Sequence, residues 1–196
     1  MEMRKGSHIS TLLRSKKTVF SSRDIALLWG DPGSGKSRVK LNYYVKTGEL
    51  YRIRKGLYAK DKHYDRLELA TRIFTPAYVS FETVLARAGV VFQYYERIFV
   101  ASYLSREVIC DDQTYAVRKI KAVLLTNPAG VDQSGEYAIA NKERAFLDTL
   151  YISGDYYFDN LTPLDWDKVF ALLPLYGNRR LERAVQTLHK HFQKSQ

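Results

Sequence analysis

Leu50-Tyr51-Arg52-Ile53-Arg54-Lys55-Gly56-Leu57-Tyr58-Ala59 alternates apolar or aromatic residues with basic ones, reaches a turn at Lys55-Gly56 and returns. That pattern predicts a short basic hairpin. Directly upstream, the segment from Ser34 or Lys36 to Thr47 has helical periodicity, and Gly48 supplies its C-terminal stop. Before it, Ser21 and Asp24 form an S-x-x-D capping box that opens a short helix over Ile25-Ala-Leu-Leu-Trp29. Ile9, Leu12 and Leu13 place another amphipathic helix over Ser7 to Ser15. Helix, helix, turn, helix and basic hairpin is the order of a winged helix-turn-helix, which sets its last helix in the DNA major groove and its wing on phosphates.

Angular spacing predicts which side of that last helix is free. With Leu41 at zero and about 100° per residue, Tyr44, Val45 and Ser37 fall within about 60° of it and pack inward. Val39, Tyr43, Lys36 and Lys46 lie between about 140° and 220° and point outward, with Lys40 and Asn42 at the flanks. Lysine suits phosphate, and an asparagine amide can pair bidentately with adenine.

Charge supports the same partner. The chain has 196 residues and a net charge of +10, and residues 1–60 hold 14 Lys and Arg against 4 Asp and Glu. Residues 61–196 carry 17 of each sign, so the whole excess sits in the first third. Solubility alone would scatter it; concentration points to a polyanion, nucleic acid ahead of anionic lipid. With 45% apolar residues the chain can bury a core. Its apolar runs are of the size of Ala122-Val-Leu-Leu125, far short of the ~18 residues of a membrane helix, and no apolar signal core opens the chain. A cytoplasmic location is expected. The single cysteine, Cys110, permits no internal disulfide and no cysteine-based zinc site.

One motif points elsewhere. Gly30-Asp31-Pro32-Gly33-Ser34-Gly35-Lys36-Ser37 matches G-x-x-x-x-G-K-[ST], the loop in which backbone amides cradle phosphates, lysine reaches the terminal ones and serine ligates magnesium. The alternative function is therefore a P-loop nucleotide-binding hydrolase or kinase using Gly30 to Ser37, with Asp148 as a metal-holding carboxylate. Such a fold needs a strand before the loop and a crossover into a parallel strand after it. Here a capping box precedes the loop and a basic hairpin follows, and Asp148 lies at helical spacing in Arg144 to Tyr151.

Residues 61–196 predict helices at Asp65–Phe74, Ser80–Ala88, Asn141–Tyr151, Pro163–Leu173 and Asn178–Phe192, and strands at Arg97–Tyr103, Gln113–Lys119 and Glu136–Ile139. Thr162-Pro163-Leu164-Asp165 reads as a capping box with proline at the first helical position. The expected class is α+β: a winged helix-turn-helix at 1–60 and a mixed α+β domain at 61–196. His8, His63, His189 and His191 form no ligand set, and no catalytic signature occurs, so no catalytic, metal or cofactor residue is expected. Tyrosines such as Tyr94-Tyr95 and Tyr156-Tyr157 read as core or partner surface, and Asp155 and Asp159 as a solvated acidic loop.

Several stretches together resemble the AbiEi family of type IV antitoxins. They are Thr18-Val-Phe-Ser-Ser-Arg-Asp-Ile25, Asn42-Tyr-Tyr-Val-Lys-Thr-Gly48 through Arg52-Ile-Arg-Lys-Gly-Leu-Tyr58, Pro76-Ala-Tyr-Val-Ser-Phe-Glu82 with Ala88-Gly89, and Ala140-Asn-Lys-Glu-Arg-Ala-Phe-Leu-Asp148. The resemblance implies a repressor that binds inverted repeats in its own operon. It also implies an antitoxin domain that counters a nucleotidyltransferase toxin in phage defence, without a stable complex and without enzymatic residues. It maps the recognition helix onto Lys36 to Lys46 and the wing onto Arg52, Arg54 and Lys55. The residues expected at double-stranded DNA are thus Lys36, Ser37, Arg38, Lys40, Asn42, Tyr43, Lys46, Arg52, Arg54 and Lys55. The Gly-rich GDPGSGKS turn departs from what the family's inter-helix turn leads one to expect.

Overall fold

The computed structural model describes residues 5–31, 35–93 and 95–194. Pro32, Gly33 and Ser34 of the Gly-rich motif, and Tyr94, lie outside them. The chain divides into two compact units, Met1–Ile73 and Phe74–Gln196, and the architecture is α+β.

The first unit runs α1 (Lys5–Arg14), β1 (Val19–Ser21), α2 (Ser22–Leu28), α3 (Gly35–Lys46), β2 (Tyr51–Arg54), β3 (Leu57–Ala59) and α4 (Arg66–Ile73). The capping box forms as spelled: the Ser21 hydroxyl accepts from the Asp24 amide, and the Asp24 carboxylate accepts from the Ser21 amide and hydroxyl. Burial pushes the Asp24 carboxyl up, but those bonds and the nearby Arg72 outweigh it and hold the group below its usual range. Gly48, at φ 76°, ends α3: its amide donates to the Val45 carbonyl and that of Glu49 to the Tyr44 carbonyl.

Sequence patterning missed β1, whose three residues are too few for periodicity to register. It pairs antiparallel with β3, Phe20 opposite Tyr58, so the sheet order is β1-β3-β2 and the hairpin gains a third strand. Leu12, Phe20, Ile25, Trp29, Leu41, Tyr44, Leu50 and Tyr58 form the core against which Ile9 and Val45 pack. Burying each such side chain is worth roughly 1.5–3 kcal/mol, which makes the core the main support of α3.

The unit extends past residue 60 because α4 is tied to β1 and α2. Glu68, 1% exposed, accepts from both the amide and the hydroxyl of Thr18, at 2.7 Å each. Arg72 bridges Glu68 and Asp24, at 3.1 and 3.2 Å.

The second unit contains β4 (Ala77–Val79), α5 (Glu82–Arg87), β5 (Ile98–Ser102), β6 (Arg106–Cys110), β7 (Gln113–Lys119), α6 (Ala122–Leu125), β8 (Val131–Asp132), β9 (Ile139–Ala140), α7 (Lys142–Ser153), α8 (Trp166–Leu172), a 3-10 turn (Leu173–Tyr176) and α9 (Arg179–Lys194). Its mixed sheet has the order β6-β7-β5-β4-β9-β8. The sequence pattern located β5, β7, α4, α5, α7 and α9 to within a few residues and missed β6 and the shorter β4, β8 and α6. The box proposed at Thr162-Pro163-Leu164-Asp165 is corrected: Asp165 is itself the N-cap, accepting from the Lys168 amide, and α8 starts three positions after Pro163. Asp159 also has a structural tie, accepting from the Phe92 amide at 2.8 Å.

Candidate nucleic-acid interface

Helix α3 separates its two faces as its spacing predicts. Leu41 and Tyr44 are buried, and Tyr44 stacks edge-on against Trp29 with ring centroids 5.7 Å apart. The Trp29 indole donates to the His8 carbonyl at 2.9 Å, so α1, α2 and α3 meet through one aromatic. Lys36, Arg38, Val39, Asn42, Tyr43 and Lys46 are exposed. The helix is therefore fixed from behind and free in front, the state a groove-entering helix requires.

Two residues of the expected set are placed differently. Ser37, expected at the DNA, is 4% exposed and faces the protein, and its hydroxyl donates to the Asp31 carbonyl at 3.4 Å. That bond tethers the helix to the residue before the loop. Lys40 is half-buried, its ammonium 2.8 Å from the Asp31 carboxylate and 3.1 Å from Nε2 of His8. The Lys40 hydrogen bond holds the Asp31 carboxyl below its usual range. Burial and the Lys40 charge push the His8 imidazole down, so its neutral form is favoured. Sequence reasoning missed this latch, which joins residues nine and thirty-two positions apart and has no periodic signal.

On the wing, Arg52, Arg54 and Lys55 are exposed while Leu57, Tyr58 and Ala59 are buried. The register slips between Arg52 and Arg54, and Gly56 adopts φ 85°, a left-handed turn position that favours glycine. The Gly56 carbonyl accepts from the Ser22 amide at 3.0 Å, which pins the turn to the start of α2. Tyr51 stacks on Tyr64 at 6.4 Å, and the Lys62 ammonium sits 5.7 Å over the Tyr51 ring.

The described elements on either side of the Gly-rich motif are both helices, α2 and α3. The element before it is the capped helix α2, and among the described residues the sheet of this unit is antiparallel throughout. Lys36 is exposed, whereas the serine that would ligate magnesium is turned inward.

In the second unit Asp148 is fully buried and paired with Arg144 at 3.2 Å. Tyr78, Ser80 and Tyr176 donate to its carboxylate at 3.0, 2.9 and 2.7 Å. Burial pushes the carboxyl up against those interactions. With its acceptor sites filled from the protein, it is a structural group. Among the described residues, no cluster of three His, Cys, Asp or Glu side chains has the geometry to hold a metal ion, and no helix is long and apolar enough to cross a membrane.

No curated protein matches the chain. Residues 9–59, from within α1 to the end of the hairpin, match the model of the family described as transcriptional regulator, AbiEi antitoxin; the matched stretch is the one that carries α3 and its hairpin.

Proposed function

We propose that this protein represses its own operon by binding inverted repeats in double-stranded DNA, and that it acts as the antitoxin to a nucleotidyltransferase toxin without a stable complex. The observation that carries the DNA reading is the free face of α3, with Lys36, Arg38, Asn42, Tyr43 and Lys46 exposed, followed by a wing that exposes Arg52, Arg54 and Lys55. Phosphate contacts by these cations set affinity and register, and Asn42 and Tyr43 lie nearest the base edges. Lys40 joins the phosphate set only after leaving Asp31.

Gel-shift titration with the promoter duplex of the protein's own operon tests the first part. Log affinity falls linearly with log salt, at about −0.9 per phosphate neutralised, giving a slope of several units. A flat salt response overturns it. Growth rescue of cells expressing the adjacent nucleotidyltransferase, paired with co-purification, tests the second: rescue with no retained complex is expected.

A further inference from the structure

Val39 is 71% exposed, the most exposed large apolar side chain described in the first unit. It lies at the middle of the outward face of α3, at about 160° from the buried Leu41, with Tyr43 beside it at about 200°. Lys36 and Lys46 bracket the pair toward the two ends of the helix, and Asn42 lies alongside; all three are exposed. Tyr43 is 54% exposed, with its ring held edge-on to the buried Tyr44 at 5.5 Å.

Folding gives no reason for a valine there. A β-branched residue on an exposed helix position loses rotamer freedom, and alanine or lysine is a better helix former. It contributes little to the core, since Leu41 and Tyr44 fill the inward face. Its surroundings say what covers it. Cations at both ends of the face match the phosphate strands on either side of a major groove, and the residue midway between them meets base edges. Every base pair shows the major groove hydrogen-bonding atoms that a valine cannot use, and A·T pairs alone add an apolar group that it can, the C5-methyl of thymine.

Resting on the DNA-binding reading above, we infer that Val39 is a specificity-determining residue that packs its isopropyl group on a thymine 5-methyl in the operator. Tyr43, one helical turn on and about 6 Å along the axis, covers the neighbouring step.

The test uses the full chain and a duplex enriched by it from a random library. Each thymine of that duplex is replaced in turn by deoxyuridine, which removes only the methyl group. At one position the replacement weakens wild-type binding about three- to fivefold, the worth of one buried methyl at ~0.8 kcal/mol. Val39→Ala binds the parent duplex more weakly by a similar factor, and at that position it no longer distinguishes thymine from deoxyuridine. Its melting temperature is unchanged or higher, which separates lost reading from lost folding. The inference is overturned if no thymine methyl matters, or if the sensitive position stays equally sensitive in Val39→Ala. Failure of the protein to bind any duplex in a salt-dependent way sinks the underlying DNA reading as well, a different outcome from salt-dependent binding with no methyl effect.

Discussion

Arg144 and Asp148 stand one turn apart on α7, neither with any solvent exposure, their guanidinium and carboxylate in contact at 3.2 Å. The remaining guanidinium donors reach the carbonyls of Leu124 and Ala129 and the Tyr78 hydroxyl. Removing one partner leaves the other charged and buried. Asp148→Ala is expected to cost about 3–5 kcal/mol of stability, read as a lower urea midpoint of the second unit. A change below about 1 kcal/mol would mean that water replaces the carboxylate.

Lys36 and Lys40 share a helix but not a state. Lys36→Ala weakens duplex binding by about 1.5–3 kcal/mol at most, the loss of one charged contact. Lys40→Ala weakens it less, because Asp31 already holds that ammonium. Quantitative gel shifts compare the two. Calorimetry on the same Lys36 variant addresses the Gly-rich motif: micromolar, magnesium-dependent ATP or GTP binding that the substitution abolishes would identify a nucleotide site instead.

The latch makes stability depend on pH. Because His8 has a folded-state pKa below its unfolded value near 6.5, the folded state disfavours its proton. Its contribution is fully present above the unfolded pKa and is lost as pH falls through the folded one. The melting temperature of the wild type should drop between pH 7 and 5 by more than that of His8→Gln. Parallel curves for the two proteins would show that neither burial nor Lys40 lowers the imidazole's affinity for its proton.

Arg54 is exposed at the wing. If it neutralises one phosphate, Arg54→Ala lowers the magnitude of the salt slope by about one and weakens binding nearly equally across DNA sequences. An unchanged slope removes Arg54 from the interface.

Local chemistry made the first unit readable. The Ser21–Asp24 box, the stop at Gly48 and the turn at Lys55-Gly56 each specify a conformation within four residues, and the structure has all three. The two faces of α3 followed from a 3.6-residue period. What stayed hidden depends on partners distant in sequence. Val19 to Ser21 becomes a strand only because β3 lies beside it, and Ser37 and Lys40 are engaged by Asp31 across the inter-helix loop. Thr162 carries capping chemistry, yet Asp165, three residues on, has the better placed carboxylate for the Lys168 amide.

The reach of Glu68 has a practical corollary for anyone excising the first unit. A fragment cut at the end of the hairpin, after Ala59, keeps every residue of the family match yet strands the Thr18 amide and strips Asp24 of Arg72. The cut would fray the threshold between α1 and the capped helix, the very footing on which α3 stands. A fragment carried through Ile73 keeps that footing, and comparing the thermal unfolding of the two pieces would weigh what one acidic side chain from outside the motif lends to the whole.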